Sequence, residues 1–305
     1  MTAAADRRPP IRRPVHRFGS RTIDFDREVV VMAIVNRTPD SFHDRGSTFA
    51  LDAALSAAET AIEAGAPWVD VGGQPFAAGE RLPVEEELDR VLPVVTGIRR
   101  HSDVVISVDT FEPEVAGRCL AAGADVVNDT TGLRDPAMVD VLVKERGHVV
   151  LTHSLAPSPR AAVPRPQYGD VVAEVAAFLD AQARRALDRG IPEDHIVLDP
   201  GHDLNKNTLH SLELTRRFGE IAALGFPTLA AVSNKDFVGE TLDAAGPDRL
   251  AGSLAAAVIC VLQGARIVRM HDAAAACSAM RMTEAVLGLR QPARLQHNID
   301  AVPEG

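Results

Sequence analysis

No apolar stretch in this sequence approaches the ~18 residues that a membrane-crossing helix needs, so no segment is expected to span a bilayer. Basic charge is short as well. Against 42 Asp and Glu stand 32 Lys and Arg, and a net charge of −10 argues against nucleic-acid binding. Cysteine is nearly missing. Cys119, Cys260 and Cys277 are odd in number and far apart, which excludes a disulfide framework or a clustered zinc site and fits a reduced, cytoplasmic setting. All three are expected as small buried hydrophobes. No G-x-G-x-x-G follows the first apolar strand, so a dinucleotide-binding unit has no support. No internal repeat and no break in composition divides the chain.

What is present is enough for one large domain. The chain has 305 residues, 46% of them hydrophobic and 24% charged, the balance of a globular protein with a sizeable core. The start departs from the acidic average. Residues 1–28 carry seven arginines mixed with prolines and lack the apolar core of a signal peptide. Residues 1–22 are expected as a flexible Arg/Pro-rich arm, leading into a short strand or hairpin. Short β-branched runs then alternate with Ala-rich segments of helical period. The runs are 29–36, 68–73, 104–110, 125–131, 148–154, 196–201, 228–234 and 265–272. Between them lie helical stretches such as 51–65 and 115–123, stopped by Gly65 and Gly123 as helix C-termini prefer. Near-continuous apolar strands alternating with helices predict a parallel sheet, and eight such repeats predict a (β/α)8 TIM barrel over 23–290 with a tail at 291–305. The Pro-rich piece 156–167 is expected as a long loop after the fifth strand.

Polar residues collect where the strands finish: Asn36, Asp70, Asp109, Asn128, His153, Asp199, Ser233 with Lys235, and Arg269 with His271 and Asp272. Any one is equally explained as a cap or turn residue. All eight strand ends together describe a functional rim, because a barrel brings its strand C-termini to one face. Asp109, Asn128 and Asp199 offer carboxylates and an amide suited to a flat heterocycle with N–H donors and a carbonyl. Arg269 and His271, two apart on one strand, share a face, and with Lys235 they suit a phosphate or pyrophosphate. Asn36 suits a phosphate oxygen or a Mg²⁺ ion. The residues thus predict a pocket for a phosphorylated flat heterocycle.

With these motifs in order, the sequence resembles dihydropteroate synthase over about residues 29–288. M-A-I-V-N-R-T-P-D-S-F (32–42) is similar to that family's N-x-T-P-D-S-F opening. I-S-V-D-T (106–110), A-G-A-D-V-V-N-D (122–129), D-P-G (199–201), S-N-K (233–235) and R-M-H-D (269–272) follow in family order. The resemblance implies a (β/α)8 barrel, a homodimer, and the joining of p-aminobenzoate to a dihydropterin pyrophosphate with Mg²⁺ assisting. By position, it implies that Asp109, Asn128, Asp199 and Lys235 hold the pterin. Asn36, Arg269 and His271 would hold the pyrophosphate, with Asn36 also at the metal.

The departures from the family pattern gather on one substrate. The loop G-G-E-S-T-R-P-G becomes G-G-Q-P-F-A-A-G (72–79), with Gln74, Phe76 and Ala77 at departed positions. A lost charge-assisted hydrogen bond there costs about 1.5–3 kcal/mol. S-R-K-S becomes S-N-K-D (233–236), so that Asp236 stands where the family's Ser receives the p-aminobenzoate carboxylate, although Asp236 would also serve as a helix cap. D-P-G-x-G-F-G-K becomes D-P-G-H-D-L-N-K (199–206), so that Leu204 replaces the Phe expected on the aminobenzoate ring. His43 and His202 near the mouth are read as structural or solvated residues. The pattern resembles the second-copy branch of the family, whose members lack synthase activity. The expectation is a paralogue, inactive or very weakly active, that keeps part of the pterin-pyrophosphate pocket and weakly takes sulfone or sulfonamide inhibitors. Two alternatives stand beside it. One is an active synthase in which Arg45 or Arg81 supplies the missing cation. The other is a non-catalytic metabolite-binding or scaffold protein.

Overall fold

The structure is a computed structural model that describes residues 8–36, 47–74, 79–156, 160–161 and 163–297. Its strands, in chain order, are β1 (Val15–Phe18), β2 (Arg21–Asp24), β3 (Val30–Asn36), β4 (Trp68–Gly72), β5 (Val105–Asp109), β6 (Val126–Asp129), β7 (His148–Thr152), β8 (Ile196–Asp199), β9 (Leu229–Ala230) and β10 (Ile267–Met270). The helices are α1 (Ser47–Glu63), α2 (Val84–Arg99), α3 (Pro113–Ala121), α4 (Pro136–Glu145), α5 (Val171–Asp188), α6 (Thr208–Arg216), α7 (Phe218–Ala222), α8 (Asp236–Leu242), α9 (Leu250–Leu262) and α10 (Ala273–Val286).

Strands β3 to β10 form one parallel sheet in the order β8-β7-β6-β5-β4-β3-β10-β9. A single bridge from Leu198 to Thr228 joins its two ends into a nearly closed barrel. Each of the eight sequence-predicted strands is present. The ladders are shorter than the apolar runs, most of all at 228–234, where only Leu229–Ala230 pairs as a strand. Helices cover the outer face. Val69, Val71, Ile106, Val108 and Val268 point outward into the layer where they meet α2, α3, α9 and α10. This two-sided burial is why the strands read as continuous apolar runs.

The chain's start plugs the barrel. β1 and β2 pair as an antiparallel hairpin, so the expected hairpin is present. It begins inside the span expected as a flexible arm. Within residues 8–22, Arg8, Ile11, His16 and Phe18 are already buried. Phe18, Ile23 and Phe25 join the inward-facing Met32, Trp68, Val105, Val126, Val150 and Val197 in one apolar cluster. Phe18 lies 5.2 Å from the Trp68 ring and 4.2 Å from His148, and His148 stacks on His195 at 3.9 Å. The arginines of this segment tie it down: Arg12 pairs with Glu193 and lies over Phe226. With the bottom of the barrel filled, the open end is the C-terminal rim where the strand-end polar residues sit.

A polar pocket at the barrel rim

The strand ends build a polar network before they build a pocket. Asp70 sits inside β4 with its side chain fully buried. Ser107 Oγ donates to its Oδ1, Asn128 Nδ2 to its Oδ2 at 3.1 Å, and Arg269 Nε to the same oxygen at 2.7 Å. Trp68 Nε1 in turn donates to Ser107 Oγ at 2.9 Å. A carboxylate with this many donors and no open face is an organising group that fixes Asn128 and Arg269. Arg269 also reaches forward, donating from Nη2 to Asp109 Oδ2 at 3.0 Å. Gly72 makes room for this arrangement. A Cβ there would stand 3.3 Å from Asn36 Oδ1 and 3.7 Å from Asp109 Cβ. Gly73 is required by close packing instead, since its Cβ would fall 2.9 Å from Val91 on α2.

Above this network lies a small pocket lined by Asp109, Asn128, Asp199, Lys235, Arg269 and Leu204, among others. Asp109, Asn128, Asp199 and Lys235, expected around the heterocycle, therefore share one cavity. Arg269 shares it too, with two of its nitrogens already engaged by carboxylates. Burial pushes the Asp109 carboxyl up to about 7, opposed by Arg269 and assisted by Asp70. Burial likewise raises Asp199 and lowers Lys235 to about 8. A pocket holding protonatable acids and a weakened ammonium is suited to a heterocycle that exchanges N–H and carbonyl hydrogen bonds.

His271 does not line that cavity. It lies beyond the paired part of β10 and faces a larger, more open cleft with Ile34, Ser233 and Asn234. Its Nδ1 meets Ser233 Oγ at 3.0 Å. The side chain is exposed at the cleft, and partial desolvation with the neighbouring Arg269 and Lys235 shifts its imidazole downward. Asn36 ends β3 with an exposed side chain, beside Gly72. The alternation that places Arg269 and His271 on one face thus puts them in adjacent cavities, since the strand pairing stops at Met270.

Of the departed positions, Phe76 and Ala77 lie outside the described residues, as do His43 and Arg45. Gln74 donates to Glu87 and accepts from Arg160 Nη1 at 3.4 Å. Leu204 lines the pocket, where an apolar side chain was expected to meet the second ligand. Asp236 does not cap its helix, contrary to expectation. It is the first residue of α8, its side chain is 84% exposed, and it pairs with Arg249 at 3.1 Å. Arg81 pairs with Glu112 and lies over Phe111. His202 is buried against Phe218 and Phe237, the structural role expected of it.

In the segment 201–206 the sequence keeps the family's Lys206, but the reading passed over Asp203 and Asn205. Lys206 is buried, and its Nζ donates to Gly201 O at 2.9 Å, Leu204 O at 3.0 Å and His153 Nδ1 at 3.0 Å. Burial lowers its ammonium to about 7. Asp203 and Asn205 both have positive φ, +63° and +53°. The available signal was the replacement of two motif glycines by Asp and Asn, the residue types that best tolerate this conformation.

The chain is similar to known proteins along most of its length. The sequence profile of the family described as pterin binding enzyme matches residues 32–271. A Mycobacterium leprae protein named inactive dihydropteroate synthase 2 is 41% identical over 279 residues, covering 90% of this chain and 96% of that one. The dihydropteroate synthase of Escherichia coli K12 is 39% identical over 267 residues, covering 87% and 94%. The solved structure of Xanthomonas albilineans dihydropteroate synthase with 4-aminobenzoic acid superposes with a TM-score of 0.83 at 37% identity, over 90% of this chain and 98% of that one.

Proposed function

Because this chain belongs to the pterin-binding, dihydropteroate synthase family, we propose that it is a paralogue with little or no synthase activity that binds a dihydropterin pyrophosphate and has lost productive binding of p-aminobenzoate. One observation carries the reading. The heterocycle side of the pocket is assembled from Asp109, Asn128, Asp199, Lys235 and Arg269, while Leu204 lines the same pocket where the family's Phe is expected. Asp109, Asn128, Asp199 and Lys235 hold the pterin. Asn36, Arg269 and His271 take the pyrophosphate.

Mg²⁺ fits this scheme as an ion that arrives with the pyrophosphate. Asn36 offers one neutral oxygen, and the described residues contain no group of three acidic, His or Cys ligands that would bind a metal alone. Mg²⁺ commonly takes one or two protein oxygens and completes its shell with phosphate oxygens and water. When bound, it would neutralise charge on the leaving pyrophosphate. A homodimer belongs to the same reading. Leu242, Ile259, Leu262, Met282 and Val286 stay exposed on α8, α9 and α10, apolar side chains that a subunit contact would cover. No helix among the described residues is long and apolar enough to cross a membrane.

The test is a pair of titrations, dihydropterin pyrophosphate first and p-aminobenzoate in its presence, with product formation followed in parallel. The reading expects binding of the first, no or weak binding of the second, and turnover far below that of an ordinary synthase. A sulfonamide or sulfone should bind weakly at most. Turnover at an ordinary rate would establish an active synthase instead. Absence of pterin binding, together with a stable protein complex in pull-downs, would establish a scaffold.

A further inference from the structure

The chain's one tryptophan touches both the plug at the barrel floor and the polar network under the pocket. Trp68 and Asp70 are two apart on β4, and the period of two turns both into the barrel. Asp70 is level with Ser107 on β5, and Asp109 with Asn128 on β6, so the inward side chains rise in layers from floor to rim. Trp68 is fully buried, and Phe18 of the hairpin lies 5.2 Å from its ring. A buried indole N–H needs an acceptor, and Trp68 Nε1 finds Ser107 Oγ at 2.9 Å. Ser107 Oγ has one proton to give and two acceptors in reach, Asp70 Oδ1 and Val69 O, the second at 3.3 Å. Asp70 in turn fixes Asn128 and Arg269, and both of these line the pocket.

We propose that Trp68 is a positioning residue for the pocket, acting through the Ser107 hydroxyl and Asp70, and that it couples the N-terminal hairpin to ligand affinity. The inference rests on the functional reading given above for its ligand and adds a part of the chain distant from the site. The Ser107 hydroxyl is the relay. A hydroxyl that accepts one hydrogen bond donates the next more strongly, so the indole N–H strengthens the bond from Ser107 to Asp70. It also favours the charged acceptor, Asp70, over the neutral carbonyl of Val69. Asp70 has no exposure to water, and its other oxygen serves Asn128 and Arg269. A weaker bond from Ser107 shifts demand onto these two side chains and so disturbs the pocket they line. The hairpin enters because Phe18 packs on the indole, while no described residue of β1 or β2 lines the pocket. Any effect of Phe18 on binding therefore has to pass through the barrel interior, along a chain of packed and hydrogen-bonded groups.

The experiment uses the full-length chain and calorimetric titration with dihydropterin pyrophosphate. Trp68→Phe keeps an aromatic ring for Phe18 and removes the N–H. It is expected to weaken binding about three- to tenfold, the scale of one hydrogen bond between neutral groups. Ser107→Ala should weaken binding at least as much, and the double variant no more than Ser107→Ala alone, because both act through one hydroxyl. Phe18→Leu should weaken binding about twofold or more in wild type and leave it unchanged on the Trp68→Phe background. A second readout needs no ligand. With one tryptophan, the indole N–H gives one resonance in a nitrogen-edited spectrum, and Asn128→Ala at the far end of the network should move it. A tryptophan that only fills the floor would give unchanged affinity in Trp68→Phe, additive losses with Ser107→Ala, or a fixed resonance in Asn128→Ala. Any one of these overturns the proposal. If dihydropterin pyrophosphate binds none of the proteins, the preceding reading fails and the resonance alone decides this one. If it binds all of them equally, that reading stands and this one falls. Should Trp68→Phe not fold, the resonance in Asn128→Ala again decides.

Discussion

Replacing Arg269 by Met tests whether this guanidinium is a structural clasp or only a receptor for phosphate. The side chain is 14% exposed and joins two acids, Asp70 with no exposure and Asp109 with 27%. Met fills the space of the Arg stem and removes both bonds. Asp70 would keep Ser107 and Asn128 as donors, but its charge would be buried without a countercharge. Breaking a buried ion pair from one side costs about 3–5 kcal/mol. The loss should depend on pH. Burial already lifts Asp109 to about 7 while Arg269 pulls it down, so removing Arg269 raises it further. A carboxyl raised in the folded state is protonated there before it is protonated in the unfolded chain. The fold therefore gains stability as pH falls, by about 1.4 kcal/mol per unit, until the pH nears the ordinary carboxylate value. Urea unfolding at pH 8 and pH 5.5 measures both effects. The variant should lie about 3–5 kcal/mol below wild type at pH 8 and recover part of that at pH 5.5. Adding Asp70→Asn should recover part of it at both. A loss under about 1 kcal/mol, equal at the two pH values, would show that the network does not depend on Arg269.

Two further outcomes follow from the geometry. His16 is buried against Phe25 and held neutral, its imidazole pushed down to about 4 by burial, so its contribution is complete above the ordinary histidine value near 6.5 and is lost as pH falls through 6.5 toward 4. In His16→Phe, stability relative to wild type should rise by about 2 kcal/mol between pH 7 and pH 5, and parallel urea curves across that range would refute it. Gly201 has a φ of +69°, and a Cβ there would stand 2.5 Å from the His153 backbone oxygen. Gly201→Ala should therefore destabilise the fold by about 1–3 kcal/mol and weaken dihydropterin pyrophosphate binding in the same titrations, because it displaces the pocket wall next to Asp199.

The barrel was legible because its strands are buried on both faces, so each announces itself as an apolar run without help from its neighbours. Where each strand stops was not, because pairing depends on a partner distant in sequence. The run 228–234 has the composition of a full strand and pairs over two residues. The N-terminal segment was misjudged for a related reason. Its arginines and prolines suggest an arm, yet Phe18, Ile23 and Phe25 suffice to fill the barrel floor, which is visible only once that floor exists. That Asp109, Asn128, Asp199 and Lys235 share a cavity was legible because each follows an apolar run directly. Asp203 was missed because its partners, Ser211 and Phe237, are 8 and 34 residues away, although the two replaced glycines marked the place. Asp70 was left undecided between ligand and structural acid, and its burial decides it.

The two sheet ends meet only at Leu198 and Thr228, and that thin closure lies directly beneath Asp199, with Lys235 a few residues beyond β9. Two walls of the pocket therefore rest where the ring is joined by a single bridge, while the ladders from β10 through β3 to β8 are longer. A change of width there would alter the distance between an acid and an ammonium that a flat ligand would bridge. Such a ligand would act as a stitch across the gap, and its binding would harden the barrel as a whole. In this sense the pocket's affinity and the barrel's rigidity are two measures of one mechanical element.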